Sequence, residues 1–272
     1  SGQEDLWRDS AEVKAVQKIS QAGKGAEVSA ALAAGADRQG VTLFSSEILL
    51  GGTALTAAVQ SDIEYIEKIG IRVQAGADRN ALYGRVPDFM TPLSWAVTKG
   101  RVDAARLLIE AGAEARGLVY CGEDFCRDLL ITACESPGAF SALDQAAMIR
   151  LLLEAGADAR AVYTHPHAKR NKRDTALHRA ANGSGPEVLG MLLEAGLQDK
   201  INQRDTVGWT PLMRAAIDNK NPESIRLLLH RGADPLIRDQ RLGRTAYQYA
   251  VKLKRAEEIQ IILKEAESAG KK

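Results

Sequence analysis

The stretch LLLEAGADAR at residues 151–160 joins a run of leucines to a Gly-Ala-Asp ending, and variants of that ending return along the chain. They close at positions 37, 78, 114, 158, 198 and 234, at intervals of 41, 36, 44, 40 and 36 residues. Apolar residues at helical spacing precede each ending, and its glycine suits the left-handed conformation that ends many helices. A varying period of roughly 30 to 50 residues predicts a stack of repeated units with loops of different length.

A second phrase recurs upstream of each ending. It reads GGTALTAA at 51–58, MTPLSWAV at 90–97, RDLLITAC at 127–134, RDTALHRAA at 173–181, GWTPLMRAA at 208–216 and GRTAYQYA at 243–250. Threonine caps a helix start, proline fits the first helical turn, and small residues let neighbouring helices approach closely. Each unit is therefore predicted to be a helix, a turn and a second helix.

This pattern resembles the ankyrin repeat. The match is fullest at Thr210, Pro211, Leu212, Ala215, Ala216, Leu228, Leu229, Gly232, Ala233 and Asp234. The resemblance implies an all-α solenoid of about seven helix-turn-helix units with β-hairpin fingers between them. We expect one domain over 1–272, with units 1–37 (N-terminal cap), 38–78, 79–114, 115–158, 159–198, 199–234 and 235–272 (C-terminal cap).

Two departures from the pattern stand out. The connecting segments 38–52 and 159–174 are longer than 235–244, and such insertions are expected to project on one side of the stack. The unit at 115–158 lacks Thr-Pro, which leaves its start open, and carries extra residues between its two helices, expected on the opposite, convex side.

Charge and hydropathy limit the classes of partner. Lys+Arg 36 against Asp+Glu 35 gives a net charge of +1, and no apolar stretch approaches the roughly 20 residues of a membrane helix. We expect no membrane insertion and no general attraction to nucleic acid. The chain begins at Ser1 rather than Met, so a removed export signal is an open alternative, and a periplasmic or otherwise exported location is favoured over a cytoplasmic one.

Few residues suggest chemistry. His178 occupies the histidine position of the ankyrin phrase Thr-Pro-Leu-His, which implies a structural hydrogen bond between loops, and His165 with His167 forms a His-x-His pair that could hold a metal only with further ligands. Because no base accompanies a nucleophile and no Gly-rich phosphate loop follows a strand, we expect no enzyme activity, cofactor or metal.

The three cysteines have different expectations. Cys134 lies in ITAC, on an apolar helix face that requires a small residue, and is predicted to belong to the core. Cys121 and Cys126 are close enough in sequence to pair, so a disulfide and two free thiols are both open.

Aromatic residues make up 5% of the chain, and many fall in or beside the fingers, where rigid aromatic side chains are common anchors of protein interfaces. Alternatively, some of them pack back onto a neighbouring finger. The predicted contacts on the concave face are Tyr83, Arg85, Phe89, Trp95, Tyr120, Phe125, Tyr163, His165, Arg170, Trp209, Met213 and Arg214.

The ankyrin resemblance implies a protein-binding module without catalytic activity. Because we expect no second domain that brings an activity, the simplest mechanism is occlusion, in which the chain inhibits or sequesters its partner, and we expect a monomer on its own. One form resembles exported bacterial ankyrin proteins that protect the cell from a cell-wall peptidase. Two alternatives are an adaptor that bridges two proteins and a phosphate or nucleic-acid binder centred on Lys169, Arg170, Lys172 and Arg173. The same basic run could also be a nuclear address, a site for an acidic protein patch or a solvated loop.

Overall fold

The computed structural model of the protein describes residues 41–42, 52–53, 73, 79–80, 91–115, 118–121, 126–135, 141–160 and 174–270. Within those residues it contains ten α-helices and four short strands, which confirms the predicted all-α class. The chain divides into two compact units, Ser1–Gly122 and Glu123–Lys272. The predicted limits of the individual repeats stay predictions.

The first unit carries a hairpin and a helix pair. Strands β1 (Val41–Thr42) and β2 (Gly52–Thr53) pair antiparallel with Val41 opposite Thr53, as expected for a finger in this connecting segment. Helix α1 (Pro92–Thr98) packs on α2 (Val102–Glu110), and strand β3 (Leu118–Cys121) follows.

The second unit is a stack of four helix pairs. Strand β4 (Cys126–Asp128) leads into them, and the pairs are α3 (Leu129–Glu135) with α4 (Ala142–Glu154), α5 (Ala176–Ala181) with α6 (Pro186–Leu192), α7 (Pro211–Asp218) with α8 (Pro222–His230), and α9 (Ala246–Lys252) with α10 (Glu257–Gly270). First helices pack on first helices in chain order, and second helices on second helices. The predicted stacking of helix pairs is therefore confirmed here.

The first helices begin as the Thr-Pro phrases predict. The Thr91 hydroxyl accepts the Ser94 amide at 3.1 Å, and the Ser94 hydroxyl accepts the Thr91 amide at 3.1 Å. The Thr210 hydroxyl accepts the Met213 amide in the same way at 3.3 Å. The start that the sequence left open at α3 falls at Leu129, where the Asp128 carboxylate accepts the Leu130 amide at 2.8 Å. An aspartate thus replaces the threonine as the side-chain acceptor.

The second helices end at the glycines that define the repeat. Gly112, Gly156, Gly196 and Gly232 have φ between +86° and +110°, the conformation predicted from the Gly-Ala-Asp endings. The amide of Ala233, for example, returns to the Leu228 carbonyl at 2.9 Å. A residue with a Cβ would be strained at these positions, and this explains the recurrence of glycine.

Leucines and alanines of both helix layers fill the core, among them Leu152, Leu177, Leu189 and Leu228. The prediction that Cys134 is a core residue is confirmed, because it is a buried free thiol and burial raises its pKa. Ion pairs between successive repeats, such as Arg150–Glu187 at 2.8 Å between α4 and α6 and Arg231–Glu194 at 2.7 Å just after α8 and α6, lie at the surface and contribute little stability.

Candidate protein-binding surface

Three first helices of the second unit share a position that contacts the fingers. It is the fourth residue after the capping threonine, namely Arg179 in α5, Arg214 in α7 and Tyr249 in α9. Each of these side chains bonds to an aspartate of its own connecting segment, namely Asp174, Asp205 and Asp239. A repeated link between helix and finger fixes the surface that the fingers present.

The Asp205 carboxylate organises the finger before α7. One oxygen accepts the amides of Val207 at 2.8 Å and Trp209 at 2.9 Å, and the other accepts the Arg214 guanidinium at 2.6 Å. Its side chain is fully buried, and that of Arg214 is 14% exposed. Because a buried carboxylate is stable only when its oxygens are satisfied, this ion pair determines the finger conformation.

The Asp239 carboxylate organises the finger before α9 in the same way. It accepts the amides of Arg241, Leu242 and Arg244 at 2.7–2.8 Å and the Tyr249 hydroxyl at 3.0 Å. Burial by itself would raise the pKa of Asp239, but these backbone amides lower it below the ordinary value. The carboxylate therefore stays ionised inside the finger.

Asp174 joins two repeats. It pairs with Arg179, which also contacts Glu135 of α3 at 3.0 Å, and it accepts the amide of Thr206 from the next finger at 3.2 Å. Burial favours a higher pKa for Asp174, but Arg179 and the Thr206 amide outweigh it and lower that pKa. The network thus runs from α3 to the finger before α7.

Trp209 is half-buried and held from two sides. The Arg214 guanidinium lies over its ring at 4.7 Å from the centroid, and the Tyr249 ring meets it edge-on at 5.6 Å. The indole N–H donates to the Tyr249 hydroxyl at 3.1 Å. Trp209 therefore packs on α9, the first helix of the following repeat, where the alternative from the sequence named a neighbouring finger, and it keeps a partly exposed surface.

His178 has the structural role that the ankyrin phrase implied. One ring nitrogen contacts the Thr175 hydroxyl at 2.9 Å, and the other lies 2.9 Å from the Gln203 carbonyl of the next connecting segment. Burial lowers the pKa of His178, partly offset by the Gln203 carbonyl and by Asp205, so the ring is held neutral.

The prediction of Met213 as a contact residue is wrong. Its side chain is 1% exposed, because it occupies the same place after the capping threonine as the buried His178 of α5. Trp95 is half-buried, with the Lys99 ammonium 5.9 Å from its ring centroid. Arg214 is mostly buried and is paired with Asp205, so its role as a contact residue stays a prediction.

Most of the other predicted contacts are not described. Tyr120 lies in β3, where only the backbone is described. Predicted residues outside the described part of the chain are Tyr83, Arg85, Phe89, Phe125, Tyr163, His165 and Arg170, together with the rest of the basic run and the possible metal ligand His167.

The residues of these links that sequence analysis missed are Asp174, Arg179, Asp205, Asp239 and Tyr249. A signal for the aspartates existed, since an Arg-Asp pair recurs at 173–174, 204–205 and 238–239, ahead of each capping threonine. Among the residues that the structure describes, no cluster of His, Cys, Asp or Glu is arranged to hold a metal, and no helix is long and apolar enough to cross a membrane.

The stacked helix pairs, their threonine caps and their glycine ends define a repeat protein of the ankyrin class. The family model for three ankyrin repeats matches residues 139–239 and 197–271, and that for a single ankyrin repeat matches 88–116. The chain belongs to the ankyrin-repeat family, and ankyrin repeats indicate a protein-protein interaction module.

Part of the chain is similar to proteins of two kinds. Mitochondrial disaggregase is 38% identical over 82 residues in Bos taurus and 37% identical over 82 residues in Homo sapiens. That segment covers 30% of this chain and 12% of the bovine and 11% of the human protein. A putative ankyrin repeat protein of Rickettsia bellii is 48% identical over 59 residues, 22% of this chain and 24% of that protein. The chain thus spans a quarter or less of each relative.

Proposed function

We propose that this protein binds a partner protein on the surface formed by its fingers and first helices, and inhibits or sequesters that partner. The observation that carries the proposal is Trp209, a tryptophan with a partly exposed surface whose ring is already fixed by Arg214 and Tyr249. A rigid aromatic side chain loses little conformational entropy on binding, which favours it as an interface anchor.

Binding on this surface needs no catalytic group, and family membership supports a binding module. The simplest mechanism is occlusion, in which the repeat surface covers an active or assembly surface of the partner. In the most specific form, the partner is a peptidase and the location is outside the cytoplasm.

The test is an affinity capture from the source cell, with Trp209→Ala and Trp95→Ala as the variants. Leu143→Ala is the matched control, because Leu143 is 79% exposed but lies on the second helix α4. We expect one protein, identified by mass spectrometry, to be retained by the native chain and the control and lost with Trp209→Ala. Equal capture by all forms would contradict the proposed surface.

The purified pair then separates inhibition from bridging. If the captured protein is an enzyme, a stoichiometric amount of this chain should abolish its activity, and the part of the affinity that depends on the aromatic anchor should persist in salt because that contact is not screened. Full activity inside a stable complex would reject inhibition and indicate an adaptor.

A further inference from the structure

The two C-terminal fingers, residues 203–209 and 237–244, form one surface, here called the finger pair. Arg204 donates from its guanidinium to the Arg238 carbonyl at 3.0 Å. Gly208 has φ +93°, and a Cβ built at this position would lie 3.4 Å from the Gln240 backbone nitrogen. The two fingers therefore approach each other closely at this glycine. The fingers therefore touch at two points along their length, and a ligand would meet them together.

The finger pair is positively charged at its surface. It contains four arginines, at positions 204, 238, 241 and 244, and two carboxylates, Asp205 and Asp239. Both carboxylates are buried and saturated by backbone amides and by Arg214 or Tyr249. The two buried carboxylates thus stabilise the conformation of the fingers, while Arg238 and Arg241 are exposed to solvent.

The exposed acids near the finger pair in the sequence lie outside the two fingers. Asp199 and Asp234, the nearest exposed carboxylates in the sequence, lie where second helices end rather than in the fingers. Asp199 is paired with Arg160 at 2.9 Å, and the Asp234 carboxylate accepts the Leu236 amide at 2.8 Å.

Each finger also carries an exposed aliphatic side chain. Val207 is 42% exposed and Leu242 is 53% exposed, each in the turn that its buried aspartate fixes. Exposed aliphatic residues in a rigid turn offer area for burial without a large cost in ordering. The finger pair therefore presents positive charge and apolar contact side by side.

We propose that the finger pair binds an acidic segment of a partner protein in which carboxylates alternate with aliphatic side chains. The inference rests on the proposed protein-binding function and specifies the chemistry of the partner at that surface. Arg238 and Arg241 pair with the carboxylates, and Val207 and Leu242 contact the aliphatic residues. Single-stranded nucleic acid fits less well, because Trp209 is the one aromatic ring of the finger pair, whereas such binding usually stacks successive bases on several aromatic side chains.

The test uses a short fluorescein-labelled peptide of repeated Glu-Glu-Leu units, titrated with the full chain and followed by fluorescence anisotropy. Comparison probes are a peptide of the same length made of Glu-Glu-Ser units and a short single-stranded DNA. We expect saturable binding of the Glu-Glu-Leu peptide, at least about tenfold tighter than that of either comparison probe, and weaker at high salt.

Variants assign the binding to the finger pair. Arg241→Gln and the pair Val207→Ser with Leu242→Ser should each raise the Kd of the peptide about tenfold. Their matched controls, Lys220→Gln and Leu143→Ser, change exposed residues outside the fingers and should leave the Kd unchanged. Circular dichroism establishes that every variant is folded.

Three results would overturn the inference: no saturable peptide binding, equal or tighter binding of DNA, or equal losses in the finger and control variants. None of these three results contradicts the proposed function if Trp209→Ala still abolishes capture of the partner. If the peptide binds as expected but Trp209→Ala captures the same proteins as the native chain, the surface of the proposed function is wrong while the ligand chemistry holds.

Discussion

The indole N–H of Trp209 donates to the Tyr249 hydroxyl at 3.1 Å, and that hydroxyl donates in turn to Asp239 at 3.0 Å. The chain of bonds ties the finger before α7 to the first helix of the following repeat. A residue predicted as a contact for a partner is thus also a contact between repeats, and its two roles can be separated by substitution.

Trp209→Phe should keep an aromatic ring beneath Arg214 but remove the donor to Tyr249. We expect a loss of about 1 kcal/mol in the free energy of unfolding, the usual net value of one hydrogen bond. Tyr249→Phe removes the acceptor, and urea denaturation of both single variants and the double variant measures their coupling. Fully additive losses would show that this bond contributes nothing.

Arg214→Met should be far more damaging, because it leaves the Asp205 carboxylate buried without its cation. A loss of roughly 3 to 5 kcal/mol is expected. Adding Asp205→Asn should recover part of that loss, since the buried charge disappears while an acceptor for the Val207 and Trp209 amides remains.

The exposed pair Arg150–Glu187 provides the control for that prediction. Its two side chains are 55% and 54% exposed, and Arg150→Met should cost less than about 1 kcal/mol. Similar losses for Arg214→Met and Arg150→Met in urea denaturation would contradict the role given to burial.

The sequence predicts the helices well and the finger contacts poorly. Helix starts at Thr91 and Thr210 and ends at the recurring glycines depend on local backbone chemistry, which a repeated phrase reveals. The same holds for Cys134 and His178, whose positions in the repeat determine their burial.

Such sequence patterns do not predict the contacts between repeats. Trp209 and Tyr249 are 40 residues apart, and nothing in either phrase specifies that one ring lies against the other. The prediction of Met213 as a contact residue does not use its register with His178, which places it in the core. Alignment of the repeats by register, rather than by residue type, would have predicted its burial.

His178 should make stability depend on pH. Since its pKa is lowered in the folded state, the unfolded chain binds the proton first, and stability present above about pH 6.5 is lost as pH falls through the folded pKa. His178→Gln removes this titration, and Gln248 shows that glutamine fits the same capping position in α9. Denaturation at several pH values should give the variant the flatter profile; an identical slope would contradict the assignment.

Asp128 should make the stability change with pH in the opposite direction to His178. Burial raises its pKa to about 6, with a further contribution from Asp158, so the folded state holds a proton that the unfolded state releases. Stability from this group is present at low pH and is lost as pH rises from about 4 through about 6. Asp128→Asn should therefore stabilise the protein at neutral pH by roughly 2 to 3 kcal/mol, while Asp144→Asn, near the exposed start of α4, should not. Thermal unfolding at acid and neutral pH compares the two, and an Asp128→Asn variant less stable than the native chain at neutral pH would refute the expectation.

Two glycines should respond in opposite directions to the same substitution. Gly232 ends α8 at φ +94° with open space around its missing Cβ, so Gly232→Ala suffers from backbone strain alone and should cost about 1 to 2 kcal/mol. Gly190 lies inside α6, where a Cβ would meet the Leu227 side chain at an ordinary 4.0 Å. Gly190→Ala should stabilise the protein by about 0.5 to 1 kcal/mol, because alanine loses less backbone entropy in a helix. Urea denaturation of the two variants decides the matter, and a loss of stability in both would mean that packing between α6 and α8 tolerates no added methyl group.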